Sequence, residues 1–535
     1  MLKSIRASQL EKVLLVILFI FLLSPTLIRI IRLVLNITSF SLAHNSYNEV
    51  RDFISFRLTN FIINGENPYT VDFPNKTNVP FMLLYTGLQP LVVAILCFIA
   101  KLDIVTGYYI INIVFVLLTS INIWLILKEY FQKYKYKYIA ALCVLINVAT
   151  FFSLFGLPIF NLHTDTIGIY FTSLIFLIVD RQKENTLILA ILSVLLIFTK
   201  QVLIVLALPL FLYYCIVNKK LAIKYFIQCC ICGLIAIFTV QLLFPLYWTE
   251  TIYAQYFVSK NYGNFLSALL NICYFYYRYA MYIILIIIGC IGIFHCKNHT
   301  FSLCLIQSHD KYVVYLFLNI FIGTISLLYF AKCGEDGYKY CQDILAPSLF
   351  MFAIYSLTCG INCLSKEINA LKEKELHIFA LFLLCVSTIV VYSNFASVKY
   401  TNDDKEAYEK LNDIIASHNH ETMYLGINST QYMLTNKILE EKTFCFDDGQ
   451  IEYFVHTPSS SNALFYGDVL HEAATQYVKK VNDMVQKQKF GLIITCIDRI
   501  INPNILVDKY YMSDKIPIKT EANISPFEVS IWIPK

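Results

Sequence analysis

Long apolar runs separated by short basic clusters form the pattern of the first three quarters of this chain. The first run extends from about Val13 to Leu35, and later ones lie near residues 104–127, 138–157, 166–180, 224–246, 272–295, 312–331, 341–364 and 376–395. Most are close to the roughly 20 residues that a helix needs to cross a bilayer core about 30 Å thick. The pattern predicts a membrane protein that crosses the bilayer many times.

Two further apolar runs depart from this pattern. The run from about 186 to 217 is too long for one span and holds Lys200 at its middle, where a charge facing lipid is costly. We therefore expect two short helices with Lys200 at the outer turn, which gives about eleven spans in all. The run Pro80–Ala100 contains Gly87 and Pro90 near its start, and for it we expect a helix that lies along, or dips into, the outer face.

Basic residues give the predicted spans their direction. Lys3, Arg6 and Lys12 precede the first run, which holds the N-terminus in the cytoplasm by the positive-inside rule. If the later basic clusters also lie in the cytoplasm, the spans between successive clusters must come in pairs. These clusters are Lys128, Lys133, Lys135 and Lys137; Arg181 and Lys183; Lys219, Lys220 and Lys224; Lys297 and Lys311; and Lys366, Lys372 and Lys374.

The composition changes after about residue 397. Amphipathic stretches at Lys405–Ser417 and Glu472–Lys487 alternate with strand-like runs at Phe490–Ile497 and Val529–Ile533. The expected fold is thus a membrane all-α bundle over 1–397, followed by a soluble α/β domain over 398–535. That domain lies outside the cytoplasm, which in a bacterium is the periplasm.

Overall composition excludes two classes of function. The chain is 58% hydrophobic and only 15% charged, so it has too little charge to cover the surface of a soluble protein. Its net charge of +5 is small and scattered along the chain, which argues against a nucleic-acid surface.

The loop after the first predicted span, at about 36–78, carries two acids one helical turn apart, Glu49 and Asp52. Either carboxylate, held at the edge of a membrane cavity, could act as a general base. The alternative is that both acids simply solvate a helix that lies along the interface. The apolar face of such a helix consists of Val50, Phe53, Ile54, Leu58, Phe61 and Ile62.

A second polar group, His163 and Asp165, stands directly before a predicted span. Such a pair could bind a divalent metal ion or hold a phosphate, although two ligands are too few to define a metal site. Alternatively, Thr164 and Asp165 serve as helix caps, since both residue types favour that position.

Two further features could contact a phosphate or a sugar. Lys200 could supply a point charge to a phosphate at the outer leaflet and Gln201 a hydrogen bond, unless Lys200 snorkels to the interface. The short polar loop from Lys332 to Tyr340 holds tyrosines that could pack on a sugar or a lipid head group, unless it is only a connection.

Four segments, taken in order, resemble the GT-C superfamily of polytopic glycosyltransferases, and in particular the bacterial branch related to protein mannosyltransferases and the lipid A aminoarabinose transferase. The resemblance covers about residues 10–395. The segments are an acid in the first loop followed by Gly65-Glu66-Asn67-Pro68-Tyr69; Tyr85-Thr86-Gly87-Leu88-Gln89-Pro90-Leu91; His163-x-Asp165 with Thr199-Lys200-Gln201; and the loop Lys332–Tyr340.

The resemblance implies an inverting transferase that takes a sugar from a polyprenyl-phosphate donor to a hydroxyl of a cell-envelope glycan or lipid. The membrane would be the bacterial inner membrane. A first-loop acid would take the proton of the acceptor. Lys200, together with His163 and Asp165, would neutralise the leaving phosphate, with a divalent metal ion as the one candidate cofactor. Such a donor needs no nucleotide pocket, and the chain has no Gly-rich phosphate loop followed by Lys-Ser/Thr.

The chain departs from the family pattern in two places. The first loop has Asn48-Glu49 where members often have Asp-Glu or a central Asp, so the base is Glu49, which we favour, or Asp52. The late loop ends Lys339-Tyr340 where members often have Asn-Tyr.

Two other membrane functions stay open at this point. A transporter or flippase of lipid-linked glycans would also place charges inside a bundle, although it would more often show internal repeats, and the chain has none. A glycan polymerase would share substrate and compartment.

Overall fold

The structure is a computed structural model. It describes residues 55, 58–65, 67, 69, 86–132, 165–181, 185–248, 251–252, 264–296, 311–332, 340–353, 355–356, 402–418, 420–426, 443–445, 467–495, 500–518 and 527–535. The predicted spans at 13–35, 138–157 and 376–395 lie outside these residues, as do Glu49, Asp52 and His163.

The first two long helices form an antiparallel hairpin. Helix α1 (Leu88–Ala100) follows Gly87, with Pro90 in its first turn, where no backbone donor is needed. It ends at Lys101, whose φ of 52° is left-handed, and helix α2 (Ile104–Gln132) returns alongside it. At 13 residues, α1 is roughly 20 Å long. That length is short of a bilayer core of about 30 Å.

The apolar run with Lys200 folds as the predicted pair of short helices. Helix α3 (Asp165–Asp180) precedes it. Helix α4 (Thr186–Thr199) ends at Lys200, a 3₁₀ helix occupies Gln201–Leu206, and helix α5 (Ala207–Val217) follows.

The chain reverses direction at Lys200. Near the start of the next helix, α6 (Lys219–Leu243), the hydroxyl of Tyr225 hydrogen-bonds Ser193 of α4 at 2.8 Å. The ring of Tyr225 also lies 5.9 Å from that of Tyr214 in α5. Because α4 and α5 both reach the same part of α6, they form a hairpin and not one continuous rod.

The remaining membrane helices include one bent pair. Helices α7 (Phe265–Arg278) and α8 (Ala280–Cys296) are bent against each other by 65° around Tyr279, so the apolar run expected as a span at 272–295 contains a sharp bend. Helix α9 (Lys311–Phe330) follows. Helix α10, described at 340–353 and 355–356, is buried from residue 343 to residue 353 and so forms the centre of the bundle.

The helices have the length and surface of a membrane protein. Within the described part of the chain, α2, α6 and α9 are long and apolar enough to cross a bilayer, as is the bent pair α7–α8 if it counts as one span. Helix α6 exposes large apolar side chains around it, such as Phe238 and Leu242. An apolar surface of this extent requires lipid contact.

The C-terminal part contains a five-stranded mixed sheet in the order β2-β1-β3-β5-β4. The first three strands are parallel, and β5 pairs antiparallel with both β3 and β4. The elements in chain order are α11 (Asn402–Ser417), β1 (Met423–Gly426), β2 (Thr443–Cys445), α12 (Gly467–Gln486), β3 (Leu492–Thr495), α13 (Pro503–Lys509), β4 (Tyr510–Ile518) and β5 (Phe527–Pro534).

Helices cover both faces of this sheet. Leu411 and Ile415 of α11 pack with one face, and Tyr477 and Val481 of α12 pack with the other. The predicted amphipathic stretches and strands therefore form an α/β arrangement, as expected.

One apolar cluster is continuous between the sheet and the membrane helices. It contains Leu411 and Ile415 of α11 together with Leu58 and Phe61 of the short helix 58–63 and Tyr108 of α2. The face of α11 that packs on the sheet thus belongs to the same core as the segment after the first predicted span.

Close packing between α3 and the Lys200 turn depends on a glycine. A methyl group at Gly168 would lie 2.5 Å from Leu203 Cδ1 and 3.2 Å from Thr199 Oγ1. We expect Gly168→Ala to lower the free energy of unfolding by about 1–3 kcal/mol through overpacking. Gly233→Ala is the matched control, because it has nothing within 4 Å and gains helix propensity. Thermal unfolding of the purified protein compares them, and equal stability would contradict this packing.

The ion pair between Lys410 of α11 and Asp514 of β4 gives a pH-dependent contact. Its hydrogen bond and charge hold the pKa of Asp514 below the usual value. The pair therefore stabilises α11 above the unfolded carboxyl pKa of about 3.9, and the effect is lost as pH falls through the folded pKa. Both side chains are exposed, so we expect at most about 0.5 kcal/mol.

Hydrogen exchange of the peptide 402–417 in the whole protein measures this contribution. Asp514→Asn should reduce protection up to about twofold at pH 6, relative to the unsubstituted chain, and should change nothing below the folded pKa. A difference that is the same at both pH values would rule out the ion pair as its cause.

Candidate functional site

The backbone at Lys200 is not helical although it lies inside the bundle. Its φ of −159° and ψ of 125° are extended, and the 3₁₀ helix follows at once. Phe198, in the last turn of α4, contacts Tyr247, which follows the end of α6, with ring centroids 6.0 Å apart. The turn therefore lies near the end of α6. In a membrane bundle, irregular backbone is tolerated only inside protein or along a cavity.

Lys200 forms a buried ion pair with Asp343. The two side chains are 2% and 9% exposed, so water screens the pair little. Asp343 lies on α10, three residues after Tyr340. The ring of Tyr340 adds a cation–π contact, with its centroid 5.5 Å from Lys200 Nζ. Since the ammonium is buried, the alternative that Lys200 snorkels to the interface is wrong.

Neighbouring side chains satisfy the backbone around the turn. Thr86, just before α1, donates its hydroxyl proton to the carbonyl oxygen of Thr199 at 2.8 Å. Gln201 donates from Nε2 to the carbonyl oxygen of Thr251 at 2.7 Å. Gln201 thus fixes the turn to the segment after α6, which is a structural contact for a side chain predicted to bind phosphate.

A buried polar network joins α1, α2 and α3 near the turn. Gln89 Nε2 donates to Asn112 Oδ1 at 2.9 Å, and the Thr166 hydroxyl donates to the same oxygen at 2.6 Å. Thr166 follows Asp165, the first residue of α3. Gly168, three residues after Asp165, packs against Thr199. The start of α3 therefore lies beside the Lys200 turn.

The segment Asn67–Tyr69 closes the same end of the bundle. Asn67 Nδ2 donates to the carbonyl oxygen of Leu243, which is an otherwise unpaired acceptor at the end of α6. The carbonyl oxygen of Tyr69 accepts from the amide of Leu246 at 3.2 Å, and its ring lies 4.8 Å from that of Tyr247. Tyr247 in turn contacts Phe198 in the last turn of α4, with ring centroids 6.0 Å apart.

The structure places the predicted site residues unequally. It brings Lys200, Gln201 and Tyr340 to one turn. Lys332 follows α9, and its Nζ lies 4.7 Å from the ring of Tyr329. Asp165 begins α3, but its side chain lies outside the described atoms, as do the residues Glu49, Asp52 and His163.

The sequence analysis missed Asp343, although the sequence contains a signal for it. Asp343 is an acid near the start of the apolar run 341–364, and an intramembrane lysine requires a partner. Together these two facts point to a carboxylate in an apolar run as the partner of Lys200. What they leave open is which run supplies it, because α4 and α10 are 143 residues apart at this contact.

A metal site stays a prediction. Across the described ranges, no three His, Cys, Asp or Glu side chains stand close enough to hold a metal ion. The two predicted ligands, the side chains of His163 and Asp165, lie outside the described atoms.

Removing one or both charges of the Lys200–Asp343 pair tests whether the pair is buried. We expect Lys200→Met to destabilise the protein by about 3–5 kcal/mol, because it leaves a buried carboxylate without its counter-charge. The double variant Lys200→Met/Asp343→Leu should regain most of that loss, since apolar side chains can replace a buried pair. Thermal unfolding of both variants measures the difference. A double variant less stable than the single one would contradict this picture.

The chain matches no protein-family model, and no curated protein matches it. The likeness to GT-C glycosyltransferases therefore depends on the four sequence segments and their arrangement. In the structure, Thr86 contacts Thr199 and Tyr340 contacts Lys200, while Asn67 and Tyr69 contact the nearby end of α6 and Tyr247.

Proposed function

We propose that this protein is a GT-C-type glycosyltransferase of the bacterial inner membrane. It transfers a sugar from a polyprenyl phosphate to a hydroxyl of an envelope glycan or lipid on the outer face. The bundle has about eleven spans over 1–397, and the α/β domain over 398–535 lies in the periplasm. The observation that carries this proposal is that three separated segments meet at one buried lysine through Thr86, Lys200 and Tyr340, with Asn67 and Tyr69 of the fourth anchored at the nearby end of α6.

The meeting of these segments in space is more specific than any one of their sequence motifs. The contacts run from Asn67 and Tyr69 to the end of α6, from Thr86 to Thr199, from Thr166 to Gln89 and Asn112, and from Lys200 to Tyr340. A helix bundle with no ligand needs polar residues only where backbone groups must be satisfied. Here polar groups from distant segments gather at a broken helix, which is the usual setting of a substrate site in membrane proteins.

The segment that follows the proposed base is anchored at the same end of the bundle. The carbonyl oxygen of Ser55, three residues after Asp52, accepts from the Tyr108 hydroxyl at 3.0 Å, and Thr59 hydrogen-bonds that hydroxyl at 2.7 Å. Asn67 then binds the end of α6. Fixing both ends of this segment would limit how far the preceding acids can lie from the turn.

In the proposed reaction Glu49, or Asp52 in its place, takes the proton of the acceptor hydroxyl. The acceptor oxygen bonds to the anomeric carbon as the bond from that carbon to the phosphate oxygen breaks. The polyprenyl phosphate leaves from the opposite face with the bonding electrons, so the configuration inverts. Lys200 stabilises the negative charge that develops on the phosphate, with His163 and Asp165 as further contacts.

Charge at the other end of the bundle supports the proposed orientation. Lys219, Lys220 and Lys224 are exposed at the start of α6, and exposed Arg181 follows α3. This end lies opposite the Lys200 turn. Under the positive-inside rule it faces the cytoplasm, so the turn opens toward the outer face.

One observation favours a second candidate, the transport or flipping of a lipid-linked glycan. Buried ion pairs at broken helices also occur on the pathways of transporters. The two functions differ in what they leave behind, since a transferase makes a new glycosidic bond and a transporter only moves its substrate.

Transfer of radiolabelled sugar from polyprenyl phosphate in isolated membranes distinguishes these functions. We expect transfer with the unsubstituted chain and its loss in Glu49→Gln at equal expression, because an amide accepts no proton. Asp52→Asn is the matched control. Full activity in Glu49→Gln with none in Asp52→Asn would move the base to Asp52. Loss of transfer with EDTA would support a metal ion, and substrate flux without transfer would favour transport.

A further inference from the structure

The Lys200–Asp343 pair is an expensive way to hold helices together. Most of the attraction between two buried charges is consumed by removing them from water. Two apolar side chains of similar size would join the Lys200 turn to α10 at least as firmly. The strength of the ion pair therefore does not explain why it is buried here. Its position in the bundle must explain it.

The position suits an anion because a buried cation faces it. The Lys200 ammonium lies at the helix break, where the backbone is extended and a 3₁₀ helix follows. The Tyr340 ring lies against the ammonium and helps to hold it in place. The Asp343 carboxylate occupies this position. A phosphate ester oxygen would meet the same partners and could accept stronger charge-assisted hydrogen bonds from the ammonium.

We propose that Asp343 is the resident counter-ion of a phosphate site, and that the phosphate of the lipid donor takes its place on Lys200. The proposal rests on the proposed function, because it takes the incoming anion to be a polyprenyl phosphate ester. Two anions repel each other beside one buried cation, so the carboxylate moves off the ammonium as the phosphate arrives. When the polyprenyl phosphate leaves, Asp343 returns.

Asp343 acts in this scheme as a positioning residue with two effects. It keeps the ammonium neutralised and pointed at the site before a donor binds. It also competes with the phosphate, which weakens the hold of Lys200 on the polyprenyl phosphate product and speeds its release. An unopposed Lys200 would bind the product more tightly and turn over more slowly.

Binding of a short-chain polyprenyl monophosphate to the full chain in lipid nanodiscs tests this exchange. Asp343→Asn should tighten binding about tenfold, within the usual range of coupling between two ligands. Binding of the polyprenol of equal length, which has no phosphate, should not change. Damage to the fold would weaken binding of both lipids, so a gain for the phosphate alone cannot come from it. Turnover in the same variant should fall while the apparent affinity for the donor rises.

Two variants complete the test. Asp343→Glu restores the counter-ion and should bring binding back to the level of the unsubstituted chain. Asp343→Ser leaves room for water beside the ammonium, and it should repeat the gain if the asparagine variant unfolds. Binding of the phosphate that is no tighter in either the asparagine or the serine variant would overturn the exchange. A tenfold gain in membranes that transfer no sugar would instead uphold the exchange and reject the transferase.

Discussion

A lysine ammonium withdrawn from water inside a helix bundle must find an anion, and in this chain that requirement links two distant helices. The carboxylate of Asp343 meets Lys200 at the break between α4 and the 3₁₀ helix. The contact fixes the central helix α10 against the hairpin, because leaving either charge alone would cost several kcal/mol. Thr86, Gln201 and the start of α3 make their contacts in the turn next to this ion pair.

The hairpin and the C-terminal domain could be predicted from the sequence because their causes are local. A lysine in the middle of an overlong apolar run requires a turn, and the run at 490–497, rich in β-branched residues and bounded by polar ones, is typical of a strand. The partner of Lys200 and the bend at Tyr279 could not be predicted in this way. Each depends on contacts between residues far apart in sequence, which a periodic pattern does not encode. The same holds for the site, whose segments could be named from sequence while their contacts could not.

The continuous apolar cluster changes how the two parts of the chain are understood. Leu411 and Ile415 of α11 share a core with Leu58, Phe61 and Tyr108 of the membrane part. The segment after the first predicted span therefore has packing partners in both the bundle and the C-terminal part. A change in the packing of either part would therefore alter the packing of the segment that directly follows the proposed base.

The outer surface of the hairpin has a consequence for the buried charges. Apolar side chains are exposed on both arms close to the turn, among them Ile191, Ile204 and Leu208. Acyl chains of a bilayer would lie against these side chains, while the ammonium and the carboxylate stay buried behind them. Lipid as well as protein would then keep water away from the charge pair on that side.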